Sequence, residues 1–155
     1  MRKKEKTIYI CGPLTEVLKK NQKSIKDFYS CIGHIAEGVL GIRGFVPHEH
    51  CDPIANADLT PTQVDAIERK RVAKQTSCLV VFPFAPSWGG GIEVEIARAN
   101  KVPILIFAHE KKRLSRLLLG NPGIKKGMVI HYKSRKDAKR LVFEKLLELK
   151  RKKIL

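Results

Sequence analysis

Ten residues near the middle of the chain, Pro86-Ser87-Trp88-Gly89-Gly90-Gly91-Ile92-Glu93-Val94-Glu95, set three glycines and a hydroxyl directly ahead of a carboxylate. Glycines between a strand and a helix let a ligand approach the backbone closely, and the free N–H groups and dipole of the helix favour an anion there. Ser87 adds a hydroxyl. Glu93 falls in the first helical turn, where the dipole favours its ionised form, so it suits a carboxylate nucleophile or an electrostatic stabiliser. The same carboxylate would equally serve as plain support for the helix N-terminus. Glu95, two residues on, faces elsewhere. The pattern is not the dinucleotide-binding motif, which follows the first strand and needs a third glycine three residues after the second.

A second segment, His48-Glu49-His50-Cys51-Asp52, packs imidazole, thiol and carboxylate together. Alternate residues of an extended chain would bring His48, His50 and Asp52 to one side, but no second ligand cluster exists elsewhere, so no metal site is expected. A substrate loop is the better reading. His109 and His131 stand alone and read as packing or surface groups. Trp88 suits either stacking on a base or covering the core. Four cysteines, Cys11, Cys31, Cys51 and Cys78, include no C-x-x-C pair and read as reduced, mostly buried thiols.

The elements that must position these groups alternate. Lys6–Cys11 is β-branched and aromatic and stops at Gly12-Pro13, as a first strand should. Apolar residues from about Asn21 to Val39 recur at three- and four-residue steps, predicting an amphipathic helix closed by Gly41 and Gly44. Gly44–Pro47 reads as a short second strand, and 48–59 as a polar loop too irregular for a helix. Thr60-Pro61-Thr62-Gln63 is a capping box with proline at the first helical position, predicting a helix over Pro61–Gln75. Cys78–Phe84 is a continuous apolar strand of the kind buried on both faces. A helix from the glycines to about Asn100 follows, then a strand over Val102–Phe107, a helix over Lys111–Leu119, a strand over Met128–Tyr132 and a long basic helix from Ser134 to about Lys152. This alternation predicts a single-domain α/β fold spanning 1–155, a three-layer α/β/α sandwich on a doubly wound, five-stranded parallel sheet of flavodoxin or Rossmann type. Ligands of such sheets bind beyond the carboxyl ends of the strands, where strand order reverses.

The 155 residues suffice for one core, and the balance of 43% hydrophobic and 30% charged residues is globular rather than disordered. The longest apolar stretches are far short of the roughly 20 residues a bilayer requires, so no membrane span is expected. The basic start Met1–Lys6 precedes no signal-peptide core, giving an expectation of cytoplasmic location. Net charge is +16. Most of it, +13, lies from Lys111 onward, where it could attract phosphates or nucleic acid or simply form a solvated face.

Two separated segments then carry a resemblance. Lys6-Thr7-Ile8-Tyr9-Ile10-Cys11-Gly12-Pro13-Leu14 resembles the first strand and G-P-L-type loop of the nucleoside 2-deoxyribosyltransferase superfamily, which includes 2'-deoxynucleoside 5'-phosphate N-hydrolases. Pro86-Ser87-x-Gly89-x-Gly91-x-Glu93 followed by Ala97 resembles its P-S-x-G-x-G-x-E motif. The likeness runs loosely from Thr7 to Phe107. It implies that Glu93 is the nucleophile at the anomeric carbon, that Tyr9 orients it, and that Ser87 with Gly89, Gly90 and Gly91 holds a 5'-phosphate, with Gly12, Pro13 and Leu14 at the substrate. The family's usual aspartate on the helix before the central strand falls at Arg69. Asp65, one turn earlier, is the candidate substitute, and Glu68 is adjacent in sequence.

The expectation is therefore an enzyme that cleaves, or exchanges the base of, a nucleoside or nucleoside 5'-monophosphate, without a cofactor. Ser87, the glycines and the basic chain favour the monophosphate. The rival is a nucleotide- or RNA-binding module that kept the fold without turnover; nucleic acid is the less favoured partner, since few aromatics interleave the basic stretch. In the last helix Ala138, Leu141, Val142, Leu146 and Leu149 make an apolar stripe that Phe143 and Leu147 widen. That width, and the way the resembling enzymes complete their sites with a neighbouring subunit, gives an expectation of a homodimer or higher homo-oligomer.

Overall fold

The structure is a computed structural model that describes residues 6–155, so the basic start of the chain, residues 1–5, lies outside it. Strand β1 is Thr7–Cys11, and every residue in it is buried. Helix α1, Lys19–Leu40, turns Ile25, Phe28, Tyr29, Ile32, Ala36 and Val39 inward. It ends at Gly41, whose φ of 79° places it in the left-handed region and whose N–H bonds the Glu37 carbonyl. The chain then passes so close to α1 and β1 that a Cβ on Gly44 would lie 3.1 Å from the Gly33 Cα and from side chains of Ile8 and Ile10.

The expected second strand contracts to one bridge, Phe45 against Tyr9, held by Phe45 N–H to Ile8 O at 2.9 Å and Ile10 N–H to Phe45 O at 3.0 Å. Pro47 has no N–H to continue the ladder, and the chain coils into the one-turn helix α2, His48–Cys51. Two expectations are thereby corrected. Among the described residues the sheet has four strands rather than five, and His48–Cys51 is helical rather than irregular.

Helix α3, Pro61–Gln75, starts at Thr60 with a full capping box. Strand β2, Thr76–Val81, pairs in parallel with β1. Helix α4, Trp88–Ala99, begins at the glycines, and strand β3, Ile104–His109, follows. Only Arg116–Leu119 of the expected helix over Lys111–Leu119 forms, as α5. The His109 side chain accepts the Lys111 N–H at 3.1 Å and the Lys112 ammonium bonds the Phe84 carbonyl at 3.0 Å, tying that stretch down as a turn. Strand β4, Val129–Tyr132, and the basic helix α6, Arg135–Arg151, complete the fold.

The strands lie in the order β1-β2-β3-β4, all parallel, with Phe45 on the outer edge of β1. The chain leaves β1 outward to Phe45 and then returns across β1 to β2, so the order reverses between β1 and β2. Side chains alternate between faces. Ile8, Ile10, Val80, Leu105 and Phe107 pack with α1 and α6, while Tyr9, Cys11, Leu79, Val81 and Ile106 share the opposite core with α3 and α4. The three layers follow, and Tyr9 points to the face that α4 covers.

Candidate active site

Tyr9 and Glu93 meet in that face. The Tyr9 hydroxyl donates to Glu93 Oε1 in a buried hydrogen bond. Tyr9 is fully buried and Glu93 is 8% exposed, in the second turn of α4 rather than the expected first, so burial and not the helix N-terminus dominates its charge. Burial pushes the Glu93 carboxyl up to about 7, the charge of Glu68 adds to the rise, and the Cys11 thiol and Tyr9 hydroxyl pull against it as hydrogen-bond donors. Burial, with the Glu93 charge behind it, holds the Tyr9 hydroxyl well above its ordinary value, so Tyr9 remains a donor at neutral pH. Cys11 is likewise held up by burial, then by Glu93. Its single proton has two acceptors, the Gly90 carbonyl at 3.8 Å and the Glu93 carboxylate, of which the charged one is the stronger. Phe45 stacks on the Tyr9 ring at 5.2 Å, His50 stacks on Phe45 at 4.5 Å, and the Arg71 guanidinium lies 4.4 Å from the Phe45 ring centre. This pile fixes Tyr9 from behind.

The glycines have no architectural reason. Gly89 and Gly91 have open space or only van der Waals contact where a Cβ would sit, Gly90 has contacts of 3.5 Å, and none has a positive φ. Glycine is a poorer helix former than alanine, by about 0.5–1 kcal/mol in a helix interior, so three without a packing role suit a ligand held close to bare backbone. Ser87 is the helix N-cap, its Oγ accepting the Gly90 N–H at 3.2 Å. That leaves its own proton and the N–H groups of Trp88 and Gly89 to face an anion.

A cavity of about 860 Å³ opens beside them, bounded by Cys11, Gly12, Pro13, Ser87, Gly90 and the segment 112–118. Glu93 is not in its lining, but Cys11, whose thiol hydrogen-bonds the Glu93 carboxylate, is. Gly12 is required by packing, since a Cβ there would sit 2.1 Å from the Tyr29 hydroxyl, which itself donates to the Pro13 carbonyl at 3.0 Å. Leu14 is half-buried, outside the lining, with its carbonyl taken by Gln22.

Asp65 does not join the pair. Its side chain is 56% exposed and holds Arg69 in a two-pronged ion pair at 2.9 and 3.1 Å. The carboxylate whose charge reaches Tyr9, Cys11 and Glu93 is Glu68. Glu68 stands one turn before Val72, the one buried residue of α3, and burial first, then Asp65, raises its own carboxyl. Asp65 to Arg69 and Glu68 to Val72 are both i, i+4 relations, and which of the two faces meets the sheet decides between the carboxylates.

In the segment His48–Asp52 the side chains diverge. Asp52 is buried against the Lys26 ammonium and accepts the N–H groups of Ile54 and Ala55, which holds its carboxyl down at about 2. His50 is spent on Phe45, and His48 faces Ser30 and Tyr29. Of the four cysteines, Cys11 and Cys78 are buried while Cys31 and Cys51 are half-exposed. Trp88 stands 89% exposed, and Phe143 of α6 47%.

A structure of CMP N-glycosidase BcmB from Clostridium botulinum matches over 87% of this chain and 96% of its own, with a TM-score of 0.57 and 18% identity. The solution structure of BlsM matches over 97% and 96% at a TM-score of 0.68 and 18% identity. The chain shares the fold of these two proteins. A conserved protein of Enterococcus faecalis V583 shares this fold over 91% of the chain and 99% of its own, with a TM-score of 0.59 and 13% identity. No family model and no curated protein matches the sequence. No helix of the described residues is long and apolar enough to cross a membrane.

Proposed function

We propose that the protein breaks the N-glycosidic bond of a nucleoside 5'-monophosphate, with Glu93 as nucleophile, Tyr9 as its orienting donor and Glu68, rather than Asp65, as the proton-handling carboxylate. The observation that carries the reading is the buried Tyr9–Glu93 hydrogen bond at the point where strand order reverses. A phosphate at Ser87 and the bare backbone of Gly89 to Gly91 sets the sugar over Cys11 and Gly90, its anomeric carbon toward Glu93.

Loss of the base builds positive charge at the anomeric carbon. A Glu93 oxygen bonds to that carbon as the bond to the base nitrogen breaks; the electron pair leaves with the base, which takes a proton from Glu68. Burial assists this step, because a carboxylate that is costly to keep charged becomes a neutral ester. Tyr9 holds the attacking group in one rotamer. The charge of Glu68 adds to the rise of the Glu93 carboxyl, and the working state is the one with Glu68 protonated and Glu93 ionised. In the second half, water attacks the anomeric carbon, gives its proton to Glu68 and releases the sugar phosphate, restoring Glu93. A second base in place of water would give transfer.

The fold that the chain shares with a CMP N-glycosidase supports this class of reaction. The test is chromatographic detection of free base after incubation with nucleosides and their 5'-monophosphates, ribo and deoxy, with and without an acceptor base. Release by the wild type and not by Glu93→Gln supports the proposal. Tight monophosphate binding with no release across the panel supports a nucleotide-binding module instead.

A further inference from the structure

One feature of the molecule lies beyond what a mononucleotide can use. From Lys111 to Lys136 there are nine lysines and arginines and no Asp or Glu. The fold lays part of this run along three neighbouring clefts. The cavity described above has Lys112 and Arg113 in its lining. Lys112 also lines a second cleft, of about 290 Å³, at the carboxyl ends of β3 and β4, where Lys133 and Arg135 join it. Arg135 in turn lines a third, of about 450 Å³, between α1 and α6, together with Lys20, Lys139 and the ion pair of Lys23 with Asp27. Lys112 is shared by the first two clefts and Arg135 by the last two, so the three adjoin as one grooved surface.

Its cations keep their net charge, although Lys112 also bonds the Phe84 carbonyl and Arg135 the Ser24 carbonyl. No carboxylate of the described residues pairs with Lys20, Lys112, Arg113, Lys133, Arg135 or Lys139, although other cations of α1 and α6 are paired within their own helices. The groove also has an apolar floor. The Arg135 guanidinium lies over Phe84 and Phe28, at 5.8 and 5.7 Å from the ring centres, and half-buried Phe84 lines the middle cleft. Phosphate-sized positive charges repeating along a concave path with an aromatic in its floor match a flexible chain of phosphates and bases. A flat anionic surface would touch only the rims.

We propose that single-stranded nucleic acid lies along this groove, its phosphates on Lys20, Lys112, Lys133, Arg135 and Lys139 and one end directed at the cavity. The binding is independent of the glycosidic chemistry and adds a polymeric ligand to it.

The test is fluorescence anisotropy of a labelled twelve-nucleotide oligothymidine across a salt series, with the wild type and with a Lys20→Gln, Lys133→Gln, Lys139→Gln triple variant, whose fold is checked by thermal melting. The wild type is expected to bind the oligomer far more tightly than thymidine 5'-monophosphate. Its log–log salt slope should be steeper than about −2, and the triple variant should flatten that slope by about 2, since each lost phosphate contact on a single strand removes about 0.7. Equal affinity for oligomer and mononucleotide, or a slope unchanged in the triple variant, overturns the proposal. So does binding to anionic lipid vesicles without binding to the oligomer. Base release from the monophosphate, followed in parallel, should be unchanged in the triple variant, so failure of the groove and failure of the glycosidic reading give separate signals.

Discussion

Replacing Glu93 by glutamine should stabilise the protein, and by an amount that grows with pH. The carboxyl lies near 7 in the fold against an ordinary value of 4.5, because it is buried. Each unit of difference is worth 1.36 kcal/mol, so the displacement amounts to about 3 kcal/mol. The direction follows from proton counting. Below about pH 4.5 the carboxyl is protonated in both the folded and unfolded chain, and the fold carries no penalty. Between about 4.5 and 7 the unfolded chain gives up the proton while the folded one keeps it, so stability falls as pH rises. Above about 7 the full cost of a buried carboxylate is present. Glutamine has the same shape, keeps an oxygen for the Tyr9 hydroxyl and never ionises. The variant should therefore melt within a degree or two of the wild type at about pH 4.5 and higher by roughly 6–12 °C at pH 8, taking 2–4 °C per kcal/mol for a chain of this size. Calorimetric melts of both proteins across pH 4–8.5 measure this. A difference in melting temperature that does not change with pH, or a wild type more stable than the variant at pH 8, refutes the assignment of Glu93 as a buried, costly carboxylate.

Other perturbations separate the remaining roles. Tyr9→Phe removes a hydrogen bond to a charged group worth about 1.5–3 kcal/mol; it should lower kcat/KM by roughly 10- to 150-fold and move the acidic limb of the pH–rate profile upward, since Glu93 loses the donor that holds its carboxyl down. Glu68→Gln should cost on the order of 100-fold or more in kcat, and less with bases that leave readily without a proton, whereas Asp65→Asn should stay within a few-fold because that side chain is occupied by Arg69 on the outside of α3. Ser87→Ala should raise KM for the monophosphate without raising that for the free nucleoside, and should lower stability by about 1 kcal/mol through the lost cap. Gly12→Ala, forced against the Tyr29 hydroxyl, should destabilise the fold by about 1–3 kcal/mol in urea unfolding.

The layers, the helix over Pro61–Gln75 and the loop-to-helix turn at the glycines were legible in the sequence, because each has a local cause. Alternating apolar runs mark buried parallel strands, the capping box at Thr60 fixes a helix start, and Ser87 caps α4 two residues before the glycines. The expected strand at Gly44–Pro47 shrank because its pairing depended on how far the chain could run before Pro47, and Pro47 left one residue to pair. The helix over Lys111–Leu119 shortened for a tertiary reason, the hold of His109 and Phe84 on its first turn. At the site, Tyr9 and Glu93 were placed by motif order, and their opposed positions follow from strand alternation. The choice between Asp65 and Glu68 turned on which face of α3 meets the sheet. A helix with a single buried residue offers almost no periodicity from which to read that.

The central claim, that Glu93 forms a covalent bond to the sugar, is tested most directly by mass spectrometry of the protein quenched in acid during turnover of a nucleoside 5'-monophosphate, followed by peptide mapping. The account predicts a pentosyl-phosphate increment on the peptide that contains Glu93, accumulating on the enzyme while free base appears, and absent from Glu93→Gln. Base release that proceeds with no increment at Glu93, or with the increment on another residue, contradicts it.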